Sequence, residues 1–466
     1  MAYALAMSTN EHTLEKLRSG QLAGLKRLDL SCGLSSFPPE IFELADTLQV
    51  LNLSSNQLSS LPDDMHRLHQ LEVLFCSDNL FTTLPGMLGQ CKRLSIVGFK
   101  ANQITQVPAA SLPPALRWLI LTDNRIAELP PEINRCMLLQ KLMLAGNRLQ
   151  SLPAELADCK NLALLRVSAN DLSALPTWLA DLPKLAWLGY AGQLSESNAR
   201  LDKVSDASEV VHAAPIAWQH LQLARRLGEG ASGVIYQAVL SLPGMPTQDV
   251  AVKLFKGTVT SDGWPRCELA ANLAAGAHPN LMTTLGPLDG HPNGTAGLVM
   301  HLLPPSYRTL AAPPSLQSCT RDVYPADAVF ELAHVWRTAW GAASAAAHLH
   351  ANGLLHGDLY AHNLQCTAGG DCLLGDMGAA SFLPSNPSDS QRLQRLEVRA
   401  FGVLLAELLS HSPVQLEQTQ NQKGAGLQAA RSSLMALADV CLQLPAKRPL
   451  FAGIVRQLQS ISSLNQ

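Results

Sequence analysis

Six stretches of the chain share one phrase: LQVLNLSSN (residues 48–56), LEVLFCSDN (71–79), LSIVGFKAN (94–102), LRWLILTDN (116–124), LQKLMLAGN (139–147) and LALLRVSAN (162–170). Their closing asparagines, Asn56, Asn79, Asn102, Asn124, Asn147 and Asn170, stand 23, 23, 22, 23 and 23 residues apart. An apolar residue follows each at the second position, and Leu-Pro or Val-Pro at the fifth and sixth. A shorter copy, LKRLDLSCGL, precedes them with Cys32 or Gly33 in the asparagine's place, and a degenerate one, LAWLGYAGQ, follows and ends on Gln193. Leucines at alternating positions predict a short strand with one buried face. The asparagine amide is suited to satisfying backbone groups of a buried turn, and the proline marks the return segment. No single copy can bury its own leucines, so the copies must stack into a solenoid.

Between the buried leucines, two outward rows can be read off. One is Val50, Val73, Ile96, Trp118, Lys141, Leu164 and Trp187; the other is Asn52, Phe75, Gly98, Ile120, Met143, Arg166 and Gly189. They are more apolar than a solvated sheet face needs to be, and contiguous exposed apolar surface marks an interface. Either another part of the chain covers these rows or a partner does; the expectation is a protein partner on Phe75, Trp118, Ile120 and Met143. Cys91, Cys136 and Cys159 recur at one place in three copies, where a small buried thiol would pack.

The 466 residues exceed one ordinary domain. A net charge near −3, with no long run of one sign, argues against capture of nucleic acid or anionic lipid. Residues 1–13 lack the charged-then-apolar pattern of a secretory signal, and no window reaches the ~18 apolar residues of a membrane span. The scattered cysteines form no CxxC pair, which fits a reducing compartment and predicts a cytoplasmic protein. After the last copy the period is lost. The expected organisation is an N-terminal helical cap at 1–23, repeats over 24–194, a polar linker at 195–217 and a second domain over 218–466.

That second domain carries phosphate chemistry. Gly228, Gly230 and Gly233 form G-x-G-x-x-G, a spacing shared with dinucleotide-binding turns. There a helix follows the third glycine; here Val234, Ile235 and Tyr236 predict a strand, hence a hairpin over phosphates. Lys253 closes the apolar run Val250-Ala251-Val252-Lys253, and such a lysine needs a carboxylate to orient it. Glu268, on the alanine-rich stretch RCELAANLAAGAH, is the only acid between Gly263 and Gly286. Downstream come His356-Gly357-Asp358, Asn363 five residues on, and Asp376-Met377-Gly378. An Asp that orients a hydroxyl, with an Asn and a second Asp that hold Mg²⁺ against a triphosphate, makes a phosphoryl-transfer set.

The two halves resemble known families. The repeats resemble leucine-rich repeats, which implies an α/β solenoid. From about Trp218 onward the ordered motifs resemble the protein kinase family, and CLQLPAKRPLFAGIVRQL (441–458) resembles the ending of tyrosine-kinase-like members. The whole resembles a bacterial-type, cytoplasmic leucine-rich repeat kinase. The resemblance implies an α+β two-lobed fold using ATP and Mg²⁺. Gly228, Gly230, Gly233, Ile235, Ala251 and Lys253 would bind ATP, Asp358, Lys253 and Glu268 would serve catalysis, and Asn363 and Asp376 would hold the metal.

The chain also departs from the family. Gly357 replaces the arginine that grips an activation-loop phosphate, and Tyr360 replaces the lysine usual in Ser/Thr kinases. Only 21 positions separate Asp376 from Glu397, with no Ala-Pro-Glu between them, and Glu397 stands where an Asp is usual. Arg448 thereby lacks its habitual carboxylate. Ser381, Ser385, Ser388 and Ser390 read as a polar loop. The expected function is a protein kinase for Ser/Thr rather than Tyr hydroxyls, with the repeats choosing the partner; the alternative is an ATP-binding pseudokinase scaffold.

Overall fold

The structure, a computed structural model, describes residues 11–193, 214–230, 232–257, 259–413 and 422–461. The stretch read as a linker falls outside these residues up to position 213, as do the first ten residues of the predicted cap. The chain divides into two compact units, residues 1–176 and 177–466.

In the first unit, residues 11–18 are helical (α1), and seven short parallel strands follow. These are β1 (Arg27–Asp29), β2 (Val50–Asn52), β3 (Val73–Phe75), β4 (Ile96–Gly98), β5 (Trp118–Ile120), β6 (Lys141–Met143) and β7 (Leu164–Arg166). Their central residues align as one buried ladder, Leu28, Leu51, Leu74, Val97, Leu119, Leu142 and Leu165. Short 3-10 turns form the return segments, five of the six directly after or starting at the repeat's proline. Each asparagine joins neighbouring copies. Asn102 accepts from the Phe81 N–H at 3.0 Å and donates to the carbonyls of Cys76 at 3.0 Å and Phe99 at 3.2 Å. These are the buried turn groups that must find partners when copies stack. Cys91, Cys136 and Cys159 are buried free thiols, pushed by burial up to about 11, 12 and 11.

The outward rows are less open than the sequence predicts. Phe75, Trp118, Ile120 and Met143 are half-buried, but Val73, Ile96, Lys141, Leu164 and Arg166 are buried. Alternation fixes which side of a strand a residue takes; it does not say what later packs there.

The second unit opens with the last repeat: a 3-10 turn at Thr177–Asp181 and strand β8 (Trp187–Gly189). Trp187 is buried, so this copy's outward position is part of the unit's interior. Next comes a sheet ordered β10-β11-β12-β14-β13-β9, from β10 (Leu221–Glu229), β11 (Gly233–Leu240), β12 (Gln248–Phe255), β14 (Gly297–His301), β13 (Thr284–Asp289) and β9 (Ile216–Ala217). Helix α2 (Pro265–Ala275) interrupts it. The remainder is helical: α3 (Leu332–Ala351), α4 (Pro387–Ser410), α5 (Gln422–Leu442) and α6 (Phe451–Ser460). Two small sheets, β15 (Arg308–Thr309), β17 (Leu364–Cys366) and β18 (Cys372–Leu374) in one and β16 (Leu354–Leu355) with β19 (Ser381–Phe382) in the other, carry the loops between. The alanines of α3 let it run through the core, with Ala339, Ala342, Ala343, Ala345 and Ala346 all buried.

Candidate active site

The glycine motif forms a hairpin. Gly228 pairs with Ile235 and Glu229 with Val234, and a strand follows the third glycine. At Gly233 a Cβ would lie 2.6 Å from the Leu254 carbonyl oxygen, so only glycine lets β11 and β12 pair this closely. Gly228 and Gly230 have no atom near where a Cβ would sit, which leaves their backbone open to a ligand.

Lys253 pairs with Ile235 across the sheet and faces inward, 7% exposed. Its Nζ is hydrogen-bonded to Glu268 of α2, itself 3% exposed, and lies 3.7 Å from Asp376 Oδ1. Burial opposes the lysine's charge, but Asp376 and Glu268 outweigh it and hold its pKa above the ordinary value.

On the opposite wall, the groups of the His356-Gly357-Asp358 loop are tied together. His356 accepts from the Asp358 N–H at 3.2 Å through Nδ1 and donates to the Gly375 carbonyl at 2.9 Å through Nε2. Asn363 Nδ2 donates to both the carbonyl and the carboxylate of Asp358, each at 2.8 Å. With both amide hydrogens engaged, the acceptor left on this cleft-lining residue is Asn363 Oδ1. Asp376 takes φ +52, a left-handed conformation uncommon for a non-glycine residue, and accepts from the Gly378 N–H at 3.3 Å.

These groups converge on one cleft of about 210 Å³ whose lining includes Gly230, Gly233, Ile235, Lys253, Glu268 and Asn363, with Asp376 beside them. Ala251 sits just behind, in an apolar cluster with Ile235 and Met300. Gly228 and Asp358 are not in the lining itself; Asp358 reaches it through Asn363. Phe75, Trp118, Ile120 and Met143 form a separate patch in the first unit. There the Trp118 indole N–H lies 3.3 Å from Met143 Sδ, and Lys141 Nζ stands 4.4 Å from the Trp118 ring centre.

Three supporting residues stand outside the predicted site set. Asp322 accepts from the Ala361 N–H at 2.6 Å and from His362 Nδ1 at 2.7 Å. His362 lines the cleft; burial works against its charge, but the Asp322 bond and the Asp358 and Asp376 carboxylates raise its pKa. Glu397 receives the N–H groups of His356 at 3.3 Å and Gly357 at 2.6 Å, and His350 Nε2 at 2.7 Å. From α4, Glu397 thus holds the backbone N–H groups of His356 and Gly357. Only Glu397 carried a signal, its position after the Asp-Met-Gly motif.

Arg448, read as lacking its habitual carboxylate, is 2% exposed and donates instead to the carbonyls of Gln443, Arg395 and Pro183 at 2.8, 2.9 and 2.8 Å. Three carbonyls replace one carboxylate, and burial pulls its pKa down. The serines after Asp376 do not form a polar loop throughout. Ser381 is buried in β19, and Asn386 caps α4 by accepting from the Ser388 and Asp389 N–H groups, so Ser388 and Ser390 lie in the helix's first turns.

Residues 221–399 match the family model described as protein tyrosine and serine/threonine kinase, and residues 23–81 match the leucine rich repeat model. The chain thus carries leucine-rich repeats followed by a protein kinase domain, in that order. No curated protein matches it. Among solved structures, a leucine-rich repeat protein of Leptospira interrogans is 33% identical with a TM-score of 0.37. That similarity covers 40% of this chain and 48% of the other, so the chain spans about half the length of that relative. Among the described residues, no helix is long and apolar enough to cross a membrane.

Proposed function

We propose that this chain is an ATP-dependent protein kinase that transfers the γ-phosphoryl group to Ser/Thr hydroxyls, with its repeats binding the partner or substrate. The observation that carries the reading is the convergence of Lys253, Glu268, Asn363 and Asp376 on one cleft, with Asp358 tied to Asn363. Lys253, held charged and oriented by Glu268, is suited to gripping phosphate oxygens that approach under the glycine hairpin. Asn363 Oδ1 and the Asp376 carboxylate are hard oxygen donors of the kind Mg²⁺ prefers, one carboxylate plus substrate oxygens. When bound there, the cation neutralises phosphate charge. Asp358, fixed by Asn363, orients the acceptor hydroxyl and takes its proton. The half-buried patch of Phe75, Trp118, Ile120 and Met143 supports partner binding by the repeats, and ten free cysteines support residence in the cytoplasm.

A second reading, an ATP-binding pseudokinase scaffold, is favoured by one feature: helix α4 begins so soon after Asp376 that little chain is left to present a protein substrate. Labelled ATP and Mg²⁺ separate the two. Phosphate on serine or threonine of an added or endogenous protein supports the kinase, phosphate on tyrosine alone corrects the specificity, and nucleotide binding without any transfer supports the scaffold.

A further inference from the structure

The residues after Asp376 pack against the last repeat rather than against an extended segment of their own. Trp187 of β8, 2% exposed, stacks on Tyr360 with ring centres 4.2 Å apart and planes 5° from parallel. Its indole N–H donates to the Leu359 carbonyl at 3.0 Å. The Tyr190 N–H donates to Ser381 Oγ at 3.0 Å, and the Tyr190 hydroxyl donates to the Phe382 carbonyl at 2.8 Å. Ala191 packs with Cys267 and Ala270 of α2 in an apolar cluster flanked by Trp264 and Phe382. At Gly192, with φ +75, a Cβ would lie 2.8 Å from the Trp264 ring.

Within six residues, 187–192, this copy therefore touches the loop that carries Asp358, the strand after Asp376 and the helix that carries Glu268. Tyr360 is two residues from Asp358, and Cys267 is next to Glu268. Gly357 completes the contact. It has φ +75, and a Cβ there would lie 2.6 Å from the Leu188 carbonyl oxygen and 2.7 Å from that of Ala379. A glycine before Asp358, where the resemblance expects an arginine, is what the close approach of the repeat requires.

We propose that the last repeat is the positioning element of the catalytic centre, with Trp187 and Tyr190 holding the Asp358 loop and the Glu268 helix in place relative to each other. It does so where a longer segment after Asp376 is missing. Trp187 and Tyr190 are positioning residues: they touch neither nucleotide nor acceptor and act through Leu359, Tyr360, Ser381 and Phe382. The proposal rests on the kinase reading of the site, and the test keeps the two apart.

Full-length wild type, Trp187→Ala, Trp187→Phe and Tyr190→Phe are compared in three measurements: phosphoryl transfer from labelled ATP, affinity for a fluorescent ATP analogue, and amide hydrogen exchange over 356–363 and 265–275. Trp187→Ala should lower kcat roughly 10- to 100-fold, the scale of a misplaced catalytic group, with nucleotide affinity changed by no more than about twofold. Exchange in both segments should accelerate. Trp187→Phe keeps a stacked ring, loses the indole donor and should recover most of the rate. Wild-type kcat and exchange in Trp187→Ala would overturn the proposal, as would equal losses of affinity and rate that phenylalanine does not relieve. Should Trp187→Ala fail to fold, the doubly substituted W187F/Y190F protein, which keeps both rings and loses the indole and hydroxyl donors, should still exchange faster than wild type over 356–363, and wild-type exchange there would overturn the proposal. If wild type transfers no phosphate, the kinase reading fails, and exchange alone decides whether the repeat holds the loop and helix.

Discussion

Replacing Glu397 with glutamine probes the joint between α4 and the loop that carries Asp358. The carboxylate is 1% exposed; one oxygen accepts from Gly357 and the other from His350 and His356. Glutamine has a single oxygen, so in either orientation its NH₂ group faces a donor. Losing a charge-assisted bond costs about 1.5–3 kcal/mol, and leaving a buried N–H unsatisfied costs roughly another 1–3. The expected destabilisation is about 4 kcal/mol, a large part of a total on the order of 5–15 kcal/mol. For a unit of this size the midpoint should fall by about 8 °C, at ~2 °C per kcal/mol. Thermal unfolding followed by circular dichroism, with urea unfolding alongside, reads both quantities. The effect should also depend on pH. Burial alone would raise the Glu397 pKa, but the His350 bond, the His350 and His356 rings and the Gly357 N–H outweigh it and hold the group below its ordinary 4.5. Its contribution is therefore complete above pH ~5 and is lost as pH falls through the depressed value, so the gap between wild type and Glu397→Gln should narrow below pH ~4. A destabilisation under ~1 kcal/mol at pH 7, or a gap that persists unchanged into acid, would refute the assignment of Glu397 as the loop's anchor.

Three other outcomes are expected. Asn124→Ala strands the Ile104 N–H and the Phe99 and Leu121 carbonyls, which Asn124 now meets at 2.9, 2.9 and 3.0 Å, and should cost the repeats about 2–4 kcal/mol in urea unfolding. Changing Trp118 and Ile120 together to serine should abolish co-purification of a bound protein partner while sparing ATP turnover; retained capture would move the docking surface elsewhere. Phosphatase treatment should leave activity unchanged, because Gly357 offers no phosphate grip and Ser381 is buried; strict dependence on a phosphoserine at 385, 388 or 390 would contradict this.

The repeats were legible because their period, alternating leucines and terminal asparagines each answer to one local physical demand. The left-handed residue before each asparagine was not, since Ser55, Asp78, Ala101, Asp123, Gly146 and Ala169 share no side chain that announces it. In the site, the hairpin and the Lys253–Glu268 pair followed from motif order and from the scarcity of acids near Glu268. The partners of Arg448 could not be read, because carbonyls at Pro183, Arg395 and Gln443 are brought to it only by the fold. The interior role of Trp187 was hidden for a similar reason: strand alternation turns it outward, and only packing within the second unit buries it. The start of α4 did carry a signal. Asn386-Pro387-Ser388-Asp389 offers a capping side chain, a proline at the first helical position and an early acid, none of which the polar-loop reading used.

Wild type and Asp358→Asn, compared for single-turnover transfer from labelled ATP and for nucleotide affinity, test the central claim most directly. Asp358 is joined to the cleft through Asn363 and makes no part of the Lys253–Glu268 pair. The account predicts measurable transfer in wild type, a fall of roughly 100-fold or more in the variant, and nearly unchanged nucleotide affinity. Absence of transfer in wild type, or a variant that transfers as fast as wild type, would contradict it.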